Sequence, residues 1–494
     1  MSSDSGSAVV AAADSAPHFV LVPMMAAGHA GPMFDMARAL ARRGALVTFV
    51  TTPLNLPRLG RVAGEDAFPI RFLPLRFPCA EAGLPEGCES LDALPGLGLL
   101  GNFNHACAML HAPLVARLRD DAAAGSAPPA SCVISDACHP WTGGVARELG
   151  VPRLAFDGFC TFSSFCMRQM NVHRIFDGVD DDTRPVRVPG FPIDVEISRA
   201  RSPGNFTGPG MKEFGEDIMA ESARADGLVV NSFAELEPLF VDAYESTIGK
   251  KVWTIGPLLL MSTVPSTASD EDADAVRCAS WLESKKPRSV VFVSFGSLVR
   301  SSLPQLAEIA HGLEASDRPF IWAVKPGDLA GFERWLSDDG FETRVGERGL
   351  VVTGWAPQRA ILSHPATGAF VTHCGWNSVL ECVAAGLPMA TWPHFAEQFM
   401  NEKLVVDVLR VGVPVGVKGT AQWGVEAEAV VATRDDVARA VAAVLDGGEE
   451  GSARRARAAD LGRKAREAVA RGGSSDRNLK LLVEHVEHQK KSTA

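Results

Sequence analysis

The densest run of chemically useful residues lies between Trp355 and Gln398. Within it an apolar stretch at 369–372 leads into His373-Cys374-Gly375-Trp376-Asn377-Ser378 and then into a segment with helical spacing. Gly375 permits a tight turn, and the first N–H groups of the helix lack intrahelical partners, so they and the helix dipole favour an anion. Ser378 adds a hydroxyl donor and His373 an imidazole that can donate to phosphate. The pattern predicts a diphosphate cradle built without a metal. Glu381, a few residues into the helix, is placed to accept hydrogen bonds from ribose hydroxyls. Trp355 offers a flat face to a base such as uracil. Glu397 and Gln398, a carboxylate beside an amide at the start of another helix, can read several sugar hydroxyls at once.

A second centre lies near the N-terminus. His29 sits among small residues, Met25-Ala26-Ala27-Gly28 before it and Ala30-Gly31-Pro32 after it, between an apolar run and a helical segment. An imidazole titrates near neutrality, which suits a general base. Such a base needs a carboxylate to orient it and to stabilise the imidazolium. Asp136 ends the apolar run 132–135 at the same sheet edge and can supply this. Each residue also has an ordinary role open to it. Asp136 would serve as an N-cap for a segment starting near Pro140. His139 would act as a rival partner or as packing, Trp355 and Trp376 as core tryptophans, and Glu381 as a solvated carboxylate. Met24, Phe159, Phe162 and Phe165 suit the lining of an apolar substrate pocket and ordinary core packing equally well.

The elements that position these residues follow from periodicity. Residues 18–24, 45–51, 132–135, 153–156 and 228–231 read as strands, with a helix over 32–43 ending at Gly44. A second series follows at 289–294, 320–324, 349–352, 369–372 and 388–391. Helices are expected over 453–471 and 478–488, with a frayed end. The fold class is α/β: two Rossmann-like doubly wound domains facing a central cleft, with ligands beyond the C-terminal strand ends. The expected division is a disordered leader at 1–16, a first domain at 17–255 and a Ser/Thr/Asp-rich linker at 256–280. A second domain at 281–472 and a C-terminal helix and tail at 473–494 complete it.

A chain of 494 residues with net charge −11 and no basic block in its first half argues against nucleic acid as the main partner. Ten cysteines without a CxxC pair read as free thiols in a reducing compartment. The leader lacks the features of a signal peptide, and no run of about 18 apolar residues suggests a membrane span. A nicotinamide oxidoreductase would need GxGxxG after the first strand, and residues 26–31 do not supply it. A non-catalytic sensor on the same scaffold would be expected to lose His29 or Asp136.

The segment from Trp355-Ala356-Pro357-Gln358 to Glu397-Gln398 resembles the signature box of the plant family-1 UDP-glycosyltransferases. Ser294-Phe295-Gly296-Ser297, Trp281-Leu282 and Gly256-Pro257 extend the likeness, which covers roughly 17–488. The resemblance implies a GT-B fold, a first domain that binds the acceptor and a second that binds the donor. It implies that Trp355 stacks on uracil beside Ala356, and that Gln358 and Glu381 hold the ribose. His373, Asn377 and Ser378 would hold the diphosphate with help from Ser297, and Trp376, Glu397 and Gln398 would contact the sugar. His29 and Asp136 match the family's catalytic dyad. A closing Gln398 with Trp376 is the family's glucose pattern; a His at the close would suggest galactose, and a glucuronate donor would want an Arg. Val379-Leu380 and Ala390 depart from commoner residues at positions not expected to touch the donor. The implied enzyme is a cytoplasmic, metal-independent hexosyltransferase with no cofactor, using UDP-glucose as donor substrate. It would invert at the anomeric carbon to give a β-glucoside of a flavonoid, terpenoid or other small phenolic or hormone. No nucleic acid or stable membrane insertion is implied.

Overall fold

A computed structural model describes residues 16–63, 70–202, 211–261, 273–329, 331–420 and 430–493. Residues 1–15 of the expected leader, and the central part of the expected linker at 262–272, lie outside the described residues. Residues 273–280, the last part of that linker, are helical instead, within Ala273–Glu283.

The chain forms two compact units that interleave along the sequence. One comprises the described residues of Met1–Thr161, Phe206–Val264 and Glu467–Ala494; the other comprises those of Phe162–Asn205 and Pro265–Arg466. The sequence reading places one linker, at 256–280, between two continuous domains and sets 473–494 apart as a C-terminal helix and tail. The structure shows why this division is too simple. The C-terminal helix Ser474–Thr493 buries Leu479, Leu482, Val483 and Val486 in the same core as Phe19, Phe34 and Trp253 of the first unit. Its four apolar positions fall on one face at helical spacing. Residues 489–493, expected to fray, continue this helix.

The first unit holds seven parallel strands: β1 (His18–Val22), β2 (Leu46–Thr51), β3 (Ile70–Pro74), β4 (Cys132–Asp136), β5 (Arg153–Asp157), β6 (Gly227–Val230) and β7 (Val252–Thr254). Their order is β3-β2-β1-β4-β5-β6-β7. β1, β4, β5 and β6 are buried at every position, as continuous apolar runs in a sheet covered on both faces should be. The crossover helix α1 (Ala27–Ala41) packs Met33, Phe34, Ala37 and Leu40 onto one sheet face, where Phe34 meets Phe49 edge-on at 5.5 Å.

The second unit repeats the plan with six parallel strands: β8 (Val290–Ser294), β9 (Phe320–Val324), β10 (Gly349–Thr353), β11 (Thr367–Thr372), β12 (Met389–Thr391) and β13 (Gly412–Pro414). Their order is β10-β9-β8-β11-β12-β13. Three helices matter below: α2 (Gln358–Ser363), α3 (Trp376–Ala385) and α4 (Gln398–Lys403). Trp322, Phe320, Phe332 and Leu313 anchor the core on one side of this sheet.

In each sheet the strand order reverses at one place: between β1 and β4 in the first, and between β8 and β11 in the second. Val22 lies opposite Ser135, and Ser294 opposite Thr372. Chain leaving these paired strands diverges to opposite faces, which opens a crevice at the C-terminal sheet edge. His29 and Asp136 fall there in the first unit, and Ser297 and the turn 373–375 in the second.

Candidate active site

His29 is the third residue of α1, and Asp136 is the last of β4. Because β1 and β4 are neighbours, the turn after one and the end of the other meet. His29 Nδ1 lies 2.7 Å from Asp136 Oδ2. Asp136 is nearly sealed, at 2% exposure, whereas the His29 side chain is 28% exposed. The other carboxylate oxygen accepts the Cys138 N–H at 2.9 Å. Asp136 therefore orients the imidazole and its own turn; the helix after it starts at Thr142 without a side-chain cap. Burial works to raise the Asp136 carboxyl. The His29 charge and hydrogen bond, His139 and the Cys138 N–H outweigh it and hold the group at about 2. It remains an anion throughout the neutral range, as an orienting partner must.

His139 is not the rival partner. It is 2% exposed, contacts the Pro23 carbonyl through Nε2 at 3.0 Å and lies beside Trp141. Burial, only partly opposed by Asp136, pushes it down to about 4, so it is neutral and its Nε2–H donates to Pro23. The sequence offered no sign of Asp92, which reaches from a distant loop to accept the Ala27 N–H at 3.1 Å at the start of α1. A carboxylate there satisfies a first-turn donor and suits the helix dipole.

The first unit also contains a cavity of about 740 Å³. The helix Leu100–Ala108 supplies Gly101, Asn102, Asn104, His105 and Ala108 to its wall; the Pro140–Trp141 turn and the helix Met211–Arg224 close it. None of the four apolar residues expected to line a substrate pocket is among its lining residues. Met24 is 4% exposed in the first unit's core. Phe162 and Phe165 are fully buried and pack on Phe191, each at 5.1 Å. For these three, core packing is the outcome. Phe159 is half-buried and its N–H bonds Asp157.

In the second unit the turn 373–375 joins β11 to α3. Cys374 adopts the left-handed conformation, with φ of 65°, which costs a non-glycine residue about 1–2 kcal/mol. Two contacts hold it there: Thr372 Oγ1 accepts its N–H at 3.2 Å, and Asn401 Nδ2 donates to its carbonyl at 2.8 Å. The His373 ring lies between two glycines. A Cβ on Gly375 would collide with its Nε2, and one on Gly296 would come within 2.8 Å of the ring. Gly296 has a φ of 69° as well, so both steric room and backbone demand glycine there. Burial pushes His373 down to about 4, with Lys325 adding to the effect, so the ring is neutral. Its Nδ1 is shielded and has no hydrogen-bond partner among the described residues. Ser297, next to Gly296, is exposed at the same turn and its carbonyl lies 3.5 Å from Lys325 Nζ.

The expected donor contacts fall into three groups. The first runs through Gln358, whose Nε2 donates to Ser378 Oγ at 3.0 Å and to Glu381 Oε2 at 2.6 Å. Glu381 is also paired with Arg359 at 3.0 Å, so it is a fixed carboxylate and not a solvated one. Trp355, just before α2, is 77% exposed. A bare indole face beside this network is what a stacking base requires, and the core alternative does not hold for it. Ala356, the next residue, is buried. Trp376 differs: its indole is 2% exposed and packs inside the unit, so a sugar contact from this position would have to come from its main chain. Asn377 occupies the first turn of α3, half-buried.

The last group is Glu397 and Gln398, both buried, at 7% and 4% exposure. Gln398 Oε1 accepts the N–H groups of His394 and Phe395 at 2.9 and 3.2 Å. Its carbonyl is thus committed to its own loop, which leaves the amide nitrogen as a donor. Beside it, Glu397 supplies acceptors only. Arg359, Lys325 and Asn401 were invisible in the sequence as contributors. Arg359 and Asn401 lie on helices and Lys325 directly follows β9, so their placement depends on the sheet.

These features match known proteins. A sequence profile described as UDP-glucoronosyl and UDP-glucosyl transferase matches residues 245–448. UDP-glycosyltransferase 73E1 of Stevia rebaudiana is 42% identical over 482 residues, covering 95% of this chain and 96% of that protein. The chain belongs to the plant UDP-glycosyltransferases. The crystal structure of UGT73P12 from Glycyrrhiza uralensis, complexed with glycyrrhetinic acid 3-O-monoglucuronide, superposes with a TM-score of 0.86 at 35% identity, covering 97% of each chain. The UGT2 structure from Phytolacca americana, complexed with UDP-2fluoro-glucose and pterostilbene, superposes at 0.76 with 25% identity, covering 95% of this chain and all of that one. The fold is GT-B, the chain is a glycosyltransferase, and the family's members glycosylate small molecules from UDP-sugars. No described helix is long and apolar enough to cross a membrane.

Proposed function

We propose that this glycosyltransferase moves glucose from UDP-glucose to a hydroxyl of a small apolar acceptor, by a single displacement that inverts the anomeric carbon. The observation that carries the reading is the 2.7 Å contact of His29 Nδ1 with the buried, ionised Asp136. With Nδ1 committed to the carboxylate, Nε2 takes the proton as the acceptor oxygen bonds to the sugar's C1. The bond from C1 to the UDP oxygen breaks, and the pair of electrons leaves with UDP. Asp136 stabilises the imidazolium that forms. From an α-linked donor the product is a β-glucoside.

The second unit fits the donor. Trp355 would stack on uracil, Gln358 and Glu381 would hold the ribose, and His373, Asn377, Ser378 and Ser297 would hold the diphosphate. A neutral His373 donates a hydrogen bond without adding charge, so the dipole of α3 and its first-turn amides stabilise the leaving group. Glucose is favoured by the pairing of an acceptor carboxylate, Glu397, with a donor amide, Gln398, and by the lack of an Arg in their place. The Phytolacca relative carries a glucose analogue of the donor. The first unit would take the acceptor beside His29, whose side chain is 28% exposed. The ten cysteines are all free thiols, which suits a cytoplasmic enzyme.

The test is UDP release from UDP-glucose with a panel of phenolic and terpenoid alcohols, comparing the parent with His29→Ala. Acceptor-dependent release that vanishes in the variant is expected. Release that survives in His29→Ala would sink the base assignment.

A further inference from the structure

We infer that Asn401 is a positioning residue that joins the sugar-reading end of the donor site to the diphosphate turn, and that it sets affinity for the β-phosphate specifically. This rests on the donor assignment above. Asn401 lies in α4 and is completely buried, and its amide nitrogen serves two acceptors: the Cys374 carbonyl at 2.8 Å and Glu397 Oε1 at 3.4 Å. Its oxygen accepts the Ser163 hydroxyl at 2.8 Å. Its main-chain N–H bonds the Glu397 carbonyl at 2.9 Å.

Each contact has a consequence. A trans peptide points its C=O and the next N–H to opposite sides. Fixing the Cys374 carbonyl toward Asn401 therefore aims the Gly375 N–H the other way, out of the protein face that Asn401 occupies. Gly375 precedes α3, so that N–H joins the helix's first-turn donors in facing an anion. The same amide nitrogen holds the Glu397 carboxylate, so the group that reads the sugar and the turn that holds the phosphate next to it share one anchor. The Ser163 hydroxyl decides which way the amide faces. With Oδ1 taken by a donor, Nδ2 must face Cys374 and Glu397, both acceptors.

Asn401→Asp keeps the shape but puts an oxygen against two acceptor oxygens, so it should turn the Cys374 carbonyl and release the Gly375 N–H. Titration calorimetry with UDP and with UMP separates this role from general structure. UMP lacks the β-phosphate and depends on Trp355, Gln358 and Glu381. The variant should bind UDP about tenfold or more weakly, the range lost with a hydrogen bond to a charged group, while UMP binding and the thermal midpoint stay near the parent's. In turnover, the KM for UDP-glucose should rise more than kcat falls, and the preference for UDP-glucose over UDP-galactose should narrow. Ser163→Ala leaves Asn401 in place but removes the lock. It should weaken UDP severalfold with UMP unchanged, and it decides the matter if Asn401→Asp does not fold. Equal loss of UDP and UMP in the variants, or no loss of either, overturns the inference. A parent protein that binds neither nucleotide overturns the donor assignment instead.

Discussion

The two units share a plan but not a chemistry. Both are parallel sheets with the same central strand order, and both place their functional groups where that order reverses, after β1 and β4 in one and after β8 and β11 in the other. The first unit presents a side-chain pair, His29 and Asp136, whose proposed work is to move a proton. The second presents a backbone turn, 373–375, held by the buried Asn401 amide, whose proposed work is to hold charge. In the first, a histidine is half-open and tied to an anion. In the second, His373 is half-buried between two glycines and His394 is buried against Phe295 and Trp392, and desolvation pushes them down to about 4 and about 3. The lesson is that a switch point supplies a crevice and converging chain ends, while the residues at those ends decide what is done there.

The contrast predicts that damage to one unit's chemistry spares the other's. The largest effect should come from Asp136→Asn, which keeps the shape but removes the charge opposite His29. Turnover should fall about 10³-fold, within the usual range for general-base catalysis, while calorimetric UDP affinity is unchanged. A loss of UDP affinity in this variant would break the comparison. Next is Gly375→Ala, whose methyl would collide with the His373 ring. UDP affinity should fall about 100-fold, roughly the value of two charge-assisted hydrogen bonds, and the midpoint of thermal unfolding should drop only slightly. A smaller change is expected for Trp355→Ala. An exposed indole contributes little to folding, so stability should hold, while UDP binds about tenfold more weakly through lost base stacking. Trp376→Ala should do the reverse, lowering stability because its indole is buried.

The smallest effect concerns pH. His139, His373 and His394 are all depressed from an ordinary 6.5, to about 4, 4 and 3. Between those values and 6.5 the unfolded chain binds more protons than the folded one, so stability is full above 6.5 and is lost as pH falls toward the folded values. Glu402, which burial raises to about 6 from 4.5, acts in the opposite sense between 4.5 and 6. Three groups against one leave a net acid destabilisation. The unfolding midpoint should drop by a few degrees between pH 7 and pH 6. His394→Phe should flatten that slope, and a slope unaltered by it would mean that His394 is protonated in the folded chain.

Much of this was legible in order along the chain. The interior strands were, because β1, β4, β5, β8 and β11 are buried on both sides and read as unbroken apolar runs. The edge strands β3 and β13 were not, because they are half exposed and interrupted by proline. β7 was missed for another reason: three residues, Val252–Thr254, are too few to show a period. The box from Trp355 to Gln398 stood out because its residue types lie within one short segment, whereas His29 and Asp136, 107 positions apart, were singled out by residue type at two strand ends.

By itself, the sequence determined the two series of strands, the turn before α3 and the types of group available at each strand end. Those are local properties, set by burial pattern, by glycine and by helix ends. Only the tertiary structure decided who partners whom. It paired His29 with Asp136 rather than with His139, by laying β1 beside β4. It turned Trp355 outward and Trp376 inward, though both are tryptophans in one motif. It brought Ser163, Cys374, Glu397 and Asn401 around one amide, and it returned the C-terminal helix to the first sheet. Contacts between residues more than 100 positions apart depend on sheet order and packing, and no local pattern encodes that.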